Sequence, residues 1–164
     1  MKVTEKGFTL VELVIAMAIS SVIMSGLAMT VVTLVKNHEW SISHNIALQQ
    51  VQNAGHWISN DVRMAESVIL GNPNGFPLTL DIPVDTDENN DYSIEYVFDG
   101  DKLKRKVYDP SLTLTSETFI AQYVDVEDTT FVSVDSYSYK LTVKASRDDA
   151  VEERIYEISQ RVDS

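Results

Sequence analysis

From Phe8 to Val35 the chain runs for about 28 residues with one charged side chain, Glu12, and no proline. A bilayer span needs about 20 apolar residues of helix. Within hydrocarbon, each backbone amide must be satisfied along its own segment. A run this long therefore restricts the start of the chain to a helix, and it fits a membrane better than a soluble core. Glu12 is the anomaly. A carboxylate at the centre of a span costs about 2.5–3.5 kcal/mol on insertion scales, and such a residue points to function with a specific partner. The obvious partner is a positive charge from another copy or another subunit. Phe8 and Glu12 are four residues apart, which on a helix is about 6 Å along the axis. A positive charge from another copy, held at the depth of Phe8, could therefore pair with the carboxylate. That attraction is strong in low dielectric, and an unpaired carboxylate is costly there. The pair could thus select the register of assembly. Lys2 and Lys6 precede the run and place the N-terminus in the cytoplasm, a tendency weakened by Glu5 and Lys36.

Gly7-Phe8-Thr9-Leu10-Val11-Glu12, at the head of a span and behind a short basic leader, closely resembles the cleavage and methylation motif of type IV prepilins and type II secretion pseudopilins. The resemblance runs from Lys6 to about Val35. It implies a leader peptide over residues 1–7, a transmembrane helix segment over 8–35 and an extracytoplasmic pilin-like domain over 36–164. It implies that a prepilin peptidase cuts between Gly7 and Phe8 and N-methylates Phe8, and that Glu12 pairs with the amino terminus of a neighbouring subunit. The implied partners are that peptidase, other pilin or pseudopilin subunits and an inner-membrane assembly platform. The implied location is the cytoplasmic membrane, crossed once, and then a periplasmic or extracellular filament. The chain departs from many pilins in having no early-helix proline, only Gly26, and no cysteine for a C-terminal disulfide. Two other readings compete. One is a secretory signal peptide with Ala16-Met17-Ala18 as its cleavage site, although the apolar run continues well past Ala18. The other is an uncleaved single-pass anchor.

The rest of the chain is acidic. Setting aside Glu5 and Glu12 from the 25 acidic residues, and Lys2, Lys6 and Lys36 from the 13 basic ones, leaves 23 acidic against 10 basic in the outer part. Such a surface repels phosphate backbones, so nucleic acid is not an expected partner; solubility is the ordinary use of the charge. With no cysteine, the outer domain must hold through its own core or a metal.

An apolar stripe at helical spacing, Ala47, Val51, Ala54, Ile58, Val62, Ala65 and Ile69, continues the helix to about residue 70. The breaker cluster Gly71-Asn72-Pro73-Asn74-Gly75 then stops it. Strands follow. Tyr137, Tyr139, Leu141, Val143 and Ala145 alternate cleanly with polar residues. Ile94, Tyr96 and Phe98 form another strand, joined through Asp99-Gly100 to Leu103, Arg105 and Val107. Phe131 to Val134 reads as a further strand. Tyr156, Ile158 and Val162 belong to a last one, turned back near Arg147-Asp148-Asp149. The expected class is α+β: a long N-terminal helix, membrane-spanning first and amphipathic afterwards, packed on an antiparallel sheet that meets water on its other face.

Candidate sites in the outer domain are few. Asp85, Asp87, Asn89 and Asp91 alternate like the start of a calcium loop. The pattern then breaks at Asn90 and Tyr96, where a calcium loop has Gly and Glu, so a solvated loop is the first reading and calcium the second. His38, His44 and His56 lack metal-pair spacing and read as surface or interface residues. Trp40 suits a membrane-interface anchor or a subunit contact. No catalytic cluster stands at usable spacing, and no enzyme activity or cofactor is expected. Asn60-Asp61-Val62-Arg63 and Leu103-Lys104-Arg105 are loosely similar to the J-type minor pseudopilins. The expected function is a structural filament subunit, minor rather than major. The alternative is a membrane-tethered binding module for calcium or an external ligand.

Overall fold

The computed structural model describes residues 7–84 and 91–161. It contains one helix, α1 (Leu10–Met64), and eight strands: β1 (Ser67–Gly71), β2 (Gly75–Ile82), β3 (Tyr92–Asp99), β4 (Lys102–Tyr108), β5 (Leu114–Ala121), β6 (Thr130–Ser133), β7 (Ser138–Arg147) and β8 (Ala150–Ser159). The chain divides into two compact units, Met1–Ser41 and Ile42–Ser164. The first contains the apolar start of α1. The second is an α+β domain in which the rest of α1 packs on antiparallel strands.

The strands form two sheets, one of five in the order β1-β2-β3-β4-β5 and one of three in the order β6-β7-β8. Short turns make the neighbours. Gly100, with φ +61, sits in the β3–β4 hairpin, where Asp99 pairs with Lys102. Asp148, with φ +52, sits between Arg147 and Ala150, the last pair of β7 and β8. Aspartate tolerates this left-handed conformation better than most residues. Asp99-Gly100 and Arg147-Asp148-Asp149 thus turn where the sequence predicts. Along β7 burial alternates, with Tyr139, Leu141, Val143 and Ala145 inward, as its pattern requires. Tyr137 lies just outside that strand and is exposed, and Val162 lies outside the described residues.

The helix stripe is the centre of the core. Ala47, Val51, Ala54, Ile58 and Val62 are fully buried, and Ala65 nearly so. From Val51 onward they share one cluster with Leu78, Leu80, Ile94, Tyr96 and Leu103 of the large sheet and Phe131, Leu141, Val143 and Ile158 of the small one. Phe131 stacks on Tyr139 with ring centroids 5.3 Å apart. Burying one such apolar side chain contributes about 1.5–3 kcal/mol.

The helix ends at Met64, earlier than the stripe and the breaker cluster predict. Glu66 N already donates to Asp81 O (2.9 Å), and Ser67 to Gly71 pair with β2. The β-branched Val68 and Ile69 suit a strand better than a helix. Ile69 therefore leaves the stripe and is exposed. Gly71 to Gly75 is a hairpin loop rather than a helix stop. Its last residue, Gly75, has φ +87, and a Cβ there would lie 2.0 Å from Phe131 O. Asn74 O accepts from Phe131 N (2.8 Å), which ties the hairpin to β6.

Gly55 marks the closest approach of helix and sheet. A Cβ on it would fall 2.1 Å from Cζ of Tyr156 on β8, whose hydroxyl donates to Val51 O (3.1 Å). Gly55→Ala should displace that ring and destabilise the domain by about 1–2 kcal/mol. In a Tyr156→Ala background the same change should instead stabilise by about 1 kcal/mol, through helix propensity alone. Denaturant unfolding of the four variants measures this cycle, and no change of sign would refute the contact.

Candidate processing and assembly site

Gly7 and Phe8 precede α1 in open surroundings. A Cβ on Gly7 would meet nothing within 4 Å, and Phe8 is 90% exposed. A protease could therefore reach the bond between them without unfolding anything. Thr9 caps the helix. Its backbone N and its hydroxyl both donate to Glu12 Oε2 at 2.9 Å, and Glu12 N donates to Thr9 Oγ1 at 3.3 Å. This reciprocal pair is a capping box, with a carboxylate at the positive end of the helix dipole. Its signature, threonine three residues before glutamate at the head of an apolar run, is legible in the sequence, although the isolated charge draws attention first. The box answers part of the Glu12 anomaly. One oxygen is satisfied within its own chain. The other, Oε1, has no hydrogen bond among the described residues and is open to an outside cation.

Below the box, four hydroxyls of the apolar stretch are also satisfied locally. Ser21, Ser25, Thr30 and Thr33 donate to the carbonyls of Ala18, Val22, Gly26 and Met29 at 2.7–2.9 Å. Hydroxyls bonded in this way expose no unmet donor to lipid. The most apolar stretch is long enough to span a membrane, and none of it is buried.

In the outer unit the structure joins residues far apart in sequence. Asp61, 3% exposed, accepts from Arg105 Nε at 2.7 Å and from the Tyr96 hydroxyl in a short bond. Arg105 also lies over the Trp57 ring, 5.2 Å from its centroid. Trp57 and Asp61 are one helical turn apart, so together they clamp an arginine arriving from β4. Burial, and then the charge and hydrogen bond of Asp61, push the Tyr96 phenol well above its usual range. Burial opposes the charge on Arg105, but the bond to Asp61 and its charge outweigh this and hold the guanidinium above its ordinary value. In the fold Asp61 and Arg105 serve as a helix-to-sheet lock. His44 meets Glu152 at 2.9 Å, and Ser43 donates to Asp148 at 2.6 Å, adding polar ties between α1 and β8 or the β7–β8 turn.

Asp85, Asp87 and Asn89 of the calcium reading lie outside the described residues. Asp91 is described, and its carboxylate accepts from Val84 N at 3.4 Å. Among the described residues no cluster of three or more histidine or carboxylate side chains could hold a metal.

Residues 3–28 match the family model described as the prokaryotic N-terminal methylation motif. Comparison with curated proteins and with solved structures finds no match. The motif, confined to the start of the chain, suggests a membrane-anchored pilin or pseudopilin.

Two outcomes test the Asp61 lock. Asp61→Ala leaves the Arg105 guanidinium part-buried without its carboxylate and should cost about 3–5 kcal/mol in denaturant unfolding; a loss below about 1 kcal/mol would refute the lock. The Tyr96 phenol is raised in the folded state, so its contribution to stability is complete below about pH 10 and is lost as pH climbs further. Tyr139 and Tyr156 shift the same way, chiefly through burial. Tyr96→Phe should therefore flatten, without abolishing, the fall in melting temperature between about pH 9 and 11.

Proposed function

We propose that the chain is a structural subunit of a type IV pilus or type II secretion pseudopilus. It crosses the cytoplasmic membrane once, with its N-terminus inside and its α+β domain outside. A prepilin peptidase cuts between Gly7 and Phe8 and methylates the new amine, and the mature chain enters the filament through Glu12. The observation that carries this reading is a Thr9-capped Glu12 with one oxygen open, one helical turn past Gly7-Phe8, at the head of an uncovered apolar helix.

In this reading each residue has a task. Cleavage turns the Phe8 amide nitrogen into an ammonium directly before the capping box. Glu12 Oε2 stays with Thr9, while Oε1 accepts the ammonium of a neighbour. In a dry environment that bond rewards the correct axial register and penalises others. We assign the subunit to a minor, filament-initiating place, on the loose J-type similarity of the Asp61 and Arg105 stretches.

Mass spectrometry of the chain from assembling cells should give a mature product that begins at Phe8 and carries one added methyl group. A product that retains Met1, or begins beyond Ala18, would overturn the reading. Glu12→Gln should be cut normally and yet fall at least about tenfold in the sheared-filament fraction. Recovery of the wild-type chain only as a dispersed membrane monomer would favour the tethered binding module instead.

A further inference from the structure

The outward faces of the two sheets treat their charges differently. On the large sheet the charges close on one another. Lys104 Nζ reaches Asp99 at 2.9 Å and Glu117 at 2.7 Å, and Lys106 reaches Glu95, its direct neighbour across the β3–β4 pair, at 3.6 Å. On the small sheet the register sets the same kind of pair side by side, Lys140 with Glu157 and Lys144 with Glu153. Neither pair closes. Lys144 turns instead to Asp128, just before β6, and among the described residues Lys140, Glu153 and Glu157 make no ion pair.

Leu141 and Val143 are buried, so the alternate residues Lys140, Thr142 and Lys144 of β7 point outward. Their cross-strand neighbours on β8, Glu157, Ile155 and Glu153, share that face. Ile155 there is 54% exposed. What matters is the sign on each strand rather than a sum of charge. The outward side of β7 is basic and that of β8 is acidic over the same length of sheet. A partner of one sign would match one strand and be repelled by the other. A second copy of the same face matches both. If a two-fold axis runs along the strands between β7 and β8, β7 of one copy lies over β8 of the other. Lys140 then faces Glu157 of the second copy and Lys144 faces Glu153, each twice by symmetry. Thr142 faces Ile155 between these charges and covers apolar surface. A two-fold axis across the strands would set lysine on lysine and glutamate on glutamate, so the charges select the first arrangement.

We propose that the outward face of β7 and β8 is a contact between two copies of this chain. Each of these strands has ten residues, about 33 Å of length, and a face two strands wide belongs to the small, reversible class of contact. The inference goes beyond the filament reading and does not depend on it, because every residue involved lies in the outer unit and none takes part in processing or in the Glu12 pair.

The chain has no cysteine, so an introduced thiol reports on one place. The test uses the full chain with Thr142→Cys, in membranes treated with a short bis-maleimide, and a cross-linked dimer is the expected product. Ser116→Cys, exposed on β5 of the other sheet, measures chance collision and should give at least about tenfold less. In the Thr142→Cys background, Glu153→Lys with Glu157→Lys, and separately Lys140→Glu with Lys144→Glu, oppose like charges across the axis. Each double variant should lower the dimer by about tenfold or more. Co-expressed under different tags, the two double variants should recover it as the mixed dimer, which a misfolded domain could not do. Equal cross-linking at the two cysteine positions would overturn the proposal. So would double variants that cross-link as well as the starting protein, or a co-expressed pair that yields no mixed dimer.

Discussion

A carboxylate removed from water must find its donors in the protein, and this chain meets that demand at two places by two routes. Glu12 finds Thr9, three residues away, through the capping box. Asp61 finds Arg105 and Tyr96, on strands separated from it by much of the sequence. The first is local and forms as soon as the helix begins. The second forms only when the five-stranded sheet has paired and closed on α1. Without it, the Asp61 charge would lie in the core uncompensated, at a cost that an apolar stripe of this size could not readily offset.

The two carboxylates differ in where their charge is met. Asp61 Oδ2 has both a guanidinium and a phenol from within its own fold, and no buried side-chain polar atom among the described residues lacks a partner. Glu12 meets only Thr9, with no cation beside it among the described residues. A carboxylate met by a cation inside the fold fixes a structure, whereas one without a cation in an apolar setting favours association with whatever supplies it. At the end of α1, Gln160 likewise occupies two carbonyls from within the fold.

Legibility in the sequence follows the range of the interaction. The span, the stripe from Ala47 to Ala65, the alternation of β7 and the turns at Asp99-Gly100 and Arg147-Asp148-Asp149 are all periodic or short-range, and the fold contains them. The error at the end of the helix has the same origin. Ile69 continues the helical spacing by chance, and nothing local reveals that β2 waits beyond Gly71 to Gly75 to draw Ser67 to Gly71 into a strand. The division into two sheets is likewise set by distant contacts, since the segment after β5 docks beside β7 through Val124 and Asp125 rather than extending the first sheet.

From its order of residues alone, this protein was committed to an apolar helix opened by Gly7-Phe8, a capped Glu12 within it and an outer domain with no disulfide. Each of these follows from neighbours in the chain, where spacing along one helix or strand suffices. Tertiary structure alone decided that Asp61, Tyr96, Arg105 and Trp57 become one cluster and that Gly55 admits the Tyr156 ring. Those residues come from separate elements, and only the packing of the outer part of α1 against two sheets brings their side chains within bonding distance.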